Sequence, residues 1–219
     1  MDINLFKKIY EMSIFLLTKI ECVSCGSYFV QTLGLCEYCE NKVLIHHTNP
    51  QRIQSEDTTI LSLFDWTANC SDDLSGWIKS LKSRCRFNEW RLIAEFFIKQ
   101  HDVGFDAKTK VVFIPIPSST GRSHSIYFAK ELAQQLNKKY CNYLKISQEV
   151  EQKSLNLNLR KNIKFEIHEE FTNFIKSHDL IVFVDDVTTS GSSYRAAHSL
   201  VSKKLQKTTQ LWAAFRRLL

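Results

Sequence analysis

Asp185 and Asp186 stand side by side, between the apolar run Leu180-Ile181-Val182-Phe183-Val184 and the hydroxyl-rich stretch Thr188-Thr189-Ser190-Gly191-Ser192-Ser193. Adjacent carboxylates can accept hydrogen bonds from ribose hydroxyls, directly or through Mg²⁺ and its waters. Hydroxyl side chains beside a glycine can surround an anion, and Gly191 permits a positive φ and close backbone approach. Acids next to a phosphate cradle describe a site for a ribose phosphate. A strand and a helix must position these groups. The apolar run is bounded by turn signals and reads as a strand buried on both faces of a parallel sheet. After the loop, Tyr194, Ala197, His198, Val201 and Leu205 recur at helical spacing. The loop therefore falls at a helix N-terminus, where free N–H groups and the positive end of the dipole favour phosphate. Ligands of open α/β sheets bind at the carboxyl ends of the strands, where these acids sit. The alternative is an ordinary Ser/Thr-rich turn with solvated acids.

A second group of chemical residues lies near the start. Cys22-Val-Ser-Cys25-Gly26 is followed, after ten residues, by Cys36-Glu-Tyr-Cys39. Two such knuckles at close range are a structural-zinc signature, each supplying two thiolates from a tight turn. Four soft ligands close a tetrahedral site and leave no position for substrate, so the metal is expected to fold this segment rather than catalyse. A redox reading suits either pair alone but not both. His46 and His47 are spare candidates, read as exposed.

The chain has 219 residues, enough for one domain and a small appendage, and its hydrophobic content of 44% is that of a globular protein. The net charge of +6 is compatible with nucleic acid or phosphorylated ligands, and equally with simple solubility. Seven cysteines, in a chain expected to be cytoplasmic, argue for metal over disulfides. No apolar run is long enough to span a bilayer. Lys7 and Lys8 precede the run Ile9 to Leu17, but Glu11 interrupts it and no small-residue cleavage site follows. An amphipathic helix with Phe6, Ile9, Tyr10, Ile14 and Leu17 on one face is the expectation over residues 1 to 20.

Residues 1–45 thus read as a helix plus a zinc-ribbon-like module, 46–60 as a linker around Asn49-Pro50, and 61–219 as the main domain. Leu61, Leu63 and Phe64 suggest an edge strand. Leu74, Trp77, Ile78 and Leu81 mark a helix, and Trp90, Ile93, Ala94 and Phe97 a second. Lys79, Lys82, Arg84 and Arg86 cluster at the end of the first. They could meet diphosphate or a nucleic-acid backbone, or form a solvated basic turn. Val111 to Pro117 is a second buried strand, ending in Ser118-Ser119-Thr120-Gly121-Arg122-Ser123-His124 before a helix with Phe128, Ala129, Leu132, Ala133 and Leu136 inward. This loop could serve a diphosphate, and His124 reads as exposed or as a ligand contact. Tyr143 to Ile146 suggests a short strand, residues 147 to 165 a covering loop or a surface connection, Phe171 to Lys176 a helix, and Leu211 to Phe215 the last strand. Alternating strands and helices give an α/β fold with a parallel sheet. The Trp and Phe residues read as core rather than as a platform for bases.

The stretch from Leu180 to Ser193 resembles the phosphoribosyl diphosphate (PRPP) motif of type I phosphoribosyltransferases, four hydrophobics, two acids and a Thr-Thr-Gly-x-Thr loop, with Ser190 and Ser193 in the places of two threonines. As a whole, the chain resembles the ComF/ComFC family of competence-associated proteins. That family joins a four-cysteine zinc module to a phosphoribosyltransferase-type domain. The resemblance rests on the four cysteines, the Lys82 region, Ile114-Pro115-Ile116-Pro117, Gln152-Lys-Ser-Leu155 with Arg160 and Asn162, and the Asp185-Asp186 loop. The family's Arg-Gly-Phe-Asn-Gln is replaced here by Thr120-Gly121-Arg122-Ser123-His124. The resemblance implies a phosphoribosyltransferase-type domain over 61–219, PRPP and Mg²⁺ as ligands, single-stranded DNA and competence proteins as partners, and a role in natural transformation. It implies PRPP contacts from Asp185, Asp186 and Thr188 to Ser193, diphosphate or DNA contacts from Lys82, Arg84, Ser118, Ser119, Gly121 and Arg122, and structural zinc on Cys22, Cys25, Cys36 and Cys39. A working transferase with an unidentified base, or a PRPP-sensing module, are the alternatives.

Overall fold

The computed structural model describes residues 21–27, 30, 33–44, 51–55, 58–67, 72–83, 87–118, 121–147 and 164–218. In chain order they form α1 (Glu37–Leu44), β1 (Gln51–Ser55), β2 (Thr58–Thr67), α2 (Asp72–Ser83), α3 (Phe87–His101), β3 (Val111–Pro115), α4 (His124–Gln135), β4 (Lys139–Tyr140), β5 (Leu144–Ile146), β6 (Phe165–Ile167), a 3₁₀ turn (Glu169–Phe171), α5 (Thr172–Lys176), β7 (Leu180–Thr188), α6 (Ser192–Leu205) and β8 (Thr208–Leu218). The N-terminal helix expected over 1–20 and most of the segment from 147 to 165 lie outside the described residues.

Six strands form the main sheet in the order β1-β2-β8-β7-β3-β4. All neighbours are parallel except β1 and β2, which pair antiparallel. The expected α/β fold with a largely parallel sheet is present. The central position of β7 follows from its sequence: Ile181 to Val184 are all buried, and only a strand covered on both faces can bury four successive apolar side chains. Alternation then sends Val182 and Val184 to one face with Val111, Phe113 and Trp212. It sends Ile181 and Phe183 to the other with Val112, Ile114 and Leu211.

The first face carries α2, α3 and α4, with Leu74, Trp77, Leu81, Trp90, Phe97 and Phe128 buried against it. Trp77 meets Phe64 and Phe215 edge-on at 5.4 and 5.3 Å, and Trp212 packs on Phe97 and Phe113 at 5.3 and 5.2 Å. These aromatics serve packing, as the sequence suggests. The second face is covered by α6 and by the small antiparallel pair β5–β6.

One element differs from expectation. Leu61, Leu63 and Phe64 are not in an edge strand, because the chain doubles back between Ser55 and Thr58 and lays β1 outside β2. Ordered strand thus begins at Gln51, within the stretch that composition reads as a linker. The short strand expected near Tyr143 is present as β5, paired with β6 in a separate two-stranded sheet.

From β3 the chain passes through α4 to β4 on one side of the sheet centre. From β7 it passes through α6 to β8 on the other. The direction of winding reverses between β3 and β7. In such sheets this switch point, at the carboxyl ends of the strands, is the usual position of a ligand crevice.

Candidate functional site

The crevice is built from the ends of β3 and β7. The Ile116 N–H donates to the Val184 carbonyl at 2.8 Å, joining the chain just past β3 to the second half of β7. Asp185 and Asp186 follow immediately. From the first face, the last turn of α2 brings the Lys82 Nζ to 2.8 Å from Asp186 Oδ2, with both side chains largely buried. Among the described residues, no comparable cation pairs with Asp185. Burial first, and the neighbouring charge of Asp186 second, push its carboxyl well above the usual carboxylate range, while Lys82 pulls the other way. The residue retains some exposed surface, but protein atoms crowd its carboxyl, and the desolvation acts there. Among the described residues, two carboxyls thus face one ammonium.

Beyond the acids, Thr188 is buried, Thr189 and Ser190 are exposed, and Gly191 takes φ +70° at the cap of α6. The first N–H to close the helix is that of Arg195, onto the Gly191 carbonyl at 2.9 Å. The donors ahead of it have no intrahelical acceptor, as at every helix start. No side chain caps this helix. Ser192 and Ser193 lie in its first turn, so hydroxyls and backbone donors are grouped at this end of the helix.

The loop after β3 turns tightly, with the Gly121 N–H on the Ser118 carbonyl at 3.1 Å and Gly121 at φ +68°. Gly121 and Arg122 are exposed. Arg84 and Ser119 lie outside the described residues. Of the described basic residues expected near the crevice, Lys82 is the one paired with the acids, and it meets Asp186.

His124 corrects the sequence reading of an exposed loop residue. It is 8% exposed, because it opens α4 and stacks on Trp90, ring centres 5.9 Å apart. Burial lowers its pKa, with the charge of Asp186 opposing. Its Nε2 has no hydrogen-bond partner among the described residues.

Sequence reasoning gave no site role to three residues beside the loop, reading Tyr194 only as part of a helical face. Tyr194 Oη lies 3.0 Å from Thr58 Oγ1 and 2.9 Å from Thr209 Oγ1, tying α6 to β2 and β8. Arg195 folds its guanidinium over Gly191, with Nη1 3.4 Å from the point a Cβ would occupy. Arg217 is exposed at the end of β8. Position in an arginine-bearing helix turn or strand end carries no sequence signal of its own, and only the topology joins them.

The four cysteines converge. The sulfurs of Cys22, Cys25, Cys36 and Cys39 all lie within 4.8 Å of one another, and those of Cys25 and Cys36 are 3.6 Å apart. A tetrahedral site with bonds of about 2.3 Å asks for sulfurs about 3.8 Å apart, so four cysteines this close could hold a metal ion such as zinc. Gly26 provides the knuckle turn at φ +79°, with its N–H on the Cys22 carbonyl at 2.8 Å. Burial pushes Cys39 up to about 12. Burial also raises Cys22, but nearby backbone N–H groups outweigh it and bring that thiol down to about 7. A cation would let all four ionise. Val23, Leu33, Leu35 and Val43 around the cluster belong to the same core as Trp77 and Trp90, and Ser80 Oγ donates to the Val23 carbonyl at 2.6 Å.

No described helix is long and apolar enough to cross a membrane. The chain matches no model of a known protein family, and no curated protein matches it.

Proposed function

We propose that the crevice binds PRPP with Mg²⁺, in a phosphoribosyltransferase-type domain, and that the chain is a ComF-type protein of natural transformation that handles internalised single-stranded DNA. The observation that supports the ligand is the acid pair, which meets a single cation among the described residues, beside the N-terminus of α6. These two features suit a cation and a phosphate. The donor set suits Mg²⁺: Asp185 and Asp186 offer hard oxygen ligands, partly exposed, next to room for phosphates. Bound Mg²⁺ would supply the charge that neutralises the acids and the diphosphate. Asp185 and Asp186 would orient the ribose hydroxyls, and Thr189 to Ser193 would hold the ribose-linked phosphate with side-chain hydroxyls and the backbone donors of α6. Lys82 would leave Asp186 for the diphosphate or stay as its counter-charge. Zinc on Cys22, Cys25, Cys36 and Cys39 would close the N-terminal module as a folding element.

The DNA role rests on the resemblance of the whole chain and on its net charge of +6. Lys and Arg would neutralise backbone phosphates, which makes binding salt-dependent.

Calorimetric titration of the zinc-loaded protein with PRPP and Mg²⁺ tests the ligand. Binding that disappears in the Asp185→Asn/Asp186→Asn variant is the expected result, and an intact protein that binds no PRPP overturns it. For DNA, anisotropy of a labelled single strand should fall off steeply between about 50 and 200 mM salt. Salt-independent or absent binding removes that part of the proposal.

A further inference from the structure

The last turn of α2 holds on to two parts of the molecule at once. Ser80 Oγ donates to the Val23 carbonyl at 2.6 Å. Two residues on, Lys82 Nζ meets Asp186 Oδ2 at 2.8 Å. At about 100° per residue these two side chains leave the helix about 200° apart, on nearly opposite sides. The end of α2 is therefore held between the cysteine cluster on one side and the acid pair on the other.

Val23 lies inside the first knuckle, between Cys22 and Cys25. Both of its backbone groups are engaged: the N–H donates to the Gly34 carbonyl at 3.1 Å, and the carbonyl accepts from Ser80. Its side chain is buried in the core that also holds Trp77 and Leu81 of α2. Gly34 stands two residues before Cys36 and takes φ +72°. A Cβ there would meet Glu89 Cγ at 3.0 Å, so the second half of the module rests on the first turn of α3, where Glu89 lies. Val23 thus joins the two halves of the cysteine module to each other and to α2.

We infer that metal on Cys22, Cys25, Cys36 and Cys39 positions Lys82 at the acid pair, with Ser80 as the positioning residue between them. Ligation fixes Cys22 against Cys36 and Cys39, and with them Val23 against Gly34. Val23 in turn fixes Ser80, and Ser80 fixes the turn that carries Lys82. A helix end needs such outside help, because its last carbonyls have no intrahelical partners and its last turn is the first to fray. A lysine on a loosened turn gives up more side-chain freedom to keep an ion pair, and so keeps it less of the time. The module is then more than a folding element: its occupancy sets how much of the acid charge is balanced. The inference goes beyond the PRPP reading, since it concerns an ion pair within the chain and needs neither PRPP nor Mg²⁺.

The test uses the full chain loaded with Zn²⁺, without Mg²⁺ or PRPP. A short pulse of acetic anhydride acetylates lysines, and peptide mass spectrometry reads the rate at each. Lys204, paired with Glu169 on the face of the sheet away from α2, is the control. Ser80→Ala removes the hydroxyl and Ser80→Thr keeps one. In Ser80→Ala, Lys82 should be acetylated about two- to tenfold faster, the factor that corresponds to one lost hydrogen bond. Zinc per chain and the Lys204 rate should stay unchanged, and Ser80→Thr should behave like the parent. Chelation, in the cold where circular dichroism still reports a folded chain, should raise the Lys82 rate at least as much. Four results overturn the inference: Lys82 reacts in Ser80→Ala as in the parent, Ser80→Thr reacts like Ser80→Ala, Lys82 and Lys204 speed up together, or zinc leaves the folded chain with Lys82 still protected. Where one arm unfolds the chain, the other decides. PRPP titration with Mg²⁺ is a separate measurement, so failure of the PRPP reading and failure of this coupling show independently.

Discussion

Replacing Asp185 with Asn should make the protein more stable at neutral pH. Lys82 and Asp186 balance each other at 2.8 Å, which leaves Asp185 as the surplus charge, desolvated by burial and repelled by Asp186. Relief of such functional strain stabilises by about 0.5–2 kcal/mol. At about 2–4 °C per kcal/mol for a chain of this size, the melting temperature rises by about 1–8 °C. The pH dependence is more diagnostic than the size. A carboxyl whose folded pKa lies above its unfolded value binds its proton more tightly in the folded chain. The stability this proton provides is complete below the unfolded value of about 3.9 and is lost as pH climbs through the raised folded pKa. Asn has no proton to lose. The advantage of the variant is therefore smallest in acid, grows through that window, and levels off above it. Urea unfolding of both proteins across pH, followed by circular dichroism, measures it. A variant no more stable than the parent at neutral pH, or an advantage that shrinks as pH rises, would refute the argument.

Lys82→Met should destabilise the chain by about 1–3 kcal/mol at neutral pH, below the cost of breaking a fully buried pair because both partners keep some exposure. In the Asp185→Asn background the loss should be smaller by at least about 0.5 kcal/mol, since fewer acids are left uncompensated; a strictly additive double mutant, read by the same unfolding curves, would show that the three groups do not act together. Chelation, or Cys36→Ser, should release the metal measured per chain and lower the melting temperature of the whole protein rather than of the N-terminal segment alone, because the residues around the cysteines share a core with Trp77 and Trp90. Gly191→Ala should cost about 1–2 kcal/mol from its left-handed backbone and weaken PRPP binding. Its new Cβ would meet only Arg195, at 3.4 Å, so an unchanged stability in thermal melts would mean the loop relaxes freely.

The sequence by itself determined the parts whose chemistry is local. A run of four buried apolar residues can sit only in a strand covered on both faces, so Ile181 to Val184 announced a central parallel strand. Cysteine spacing announced a cluster of four, because each knuckle is closed by its own turn, as Gly26 closes the first. The order of strand, acids, hydroxyls and helix placed the loop at an N-terminus, where α6 begins. Tertiary structure alone decided what meets across the sheet. Lys82 reaches Asp186 from a helix more than a hundred residues earlier, and its role shifts from one of several basic residues to the partner of one acid. His124 is buried because Trp90 of another helix stacks on it, which no spacing within its own loop encodes. β2 is interior because a hairpin lays β1 outside it. The loop after β7 and the end of β8 line one groove because β8 lies beside β7 while α6 crosses one face. Local periodicity specifies which face of an element is buried; the winding of the chain specifies which elements share that face, and charge pairing and cavities are properties of the second.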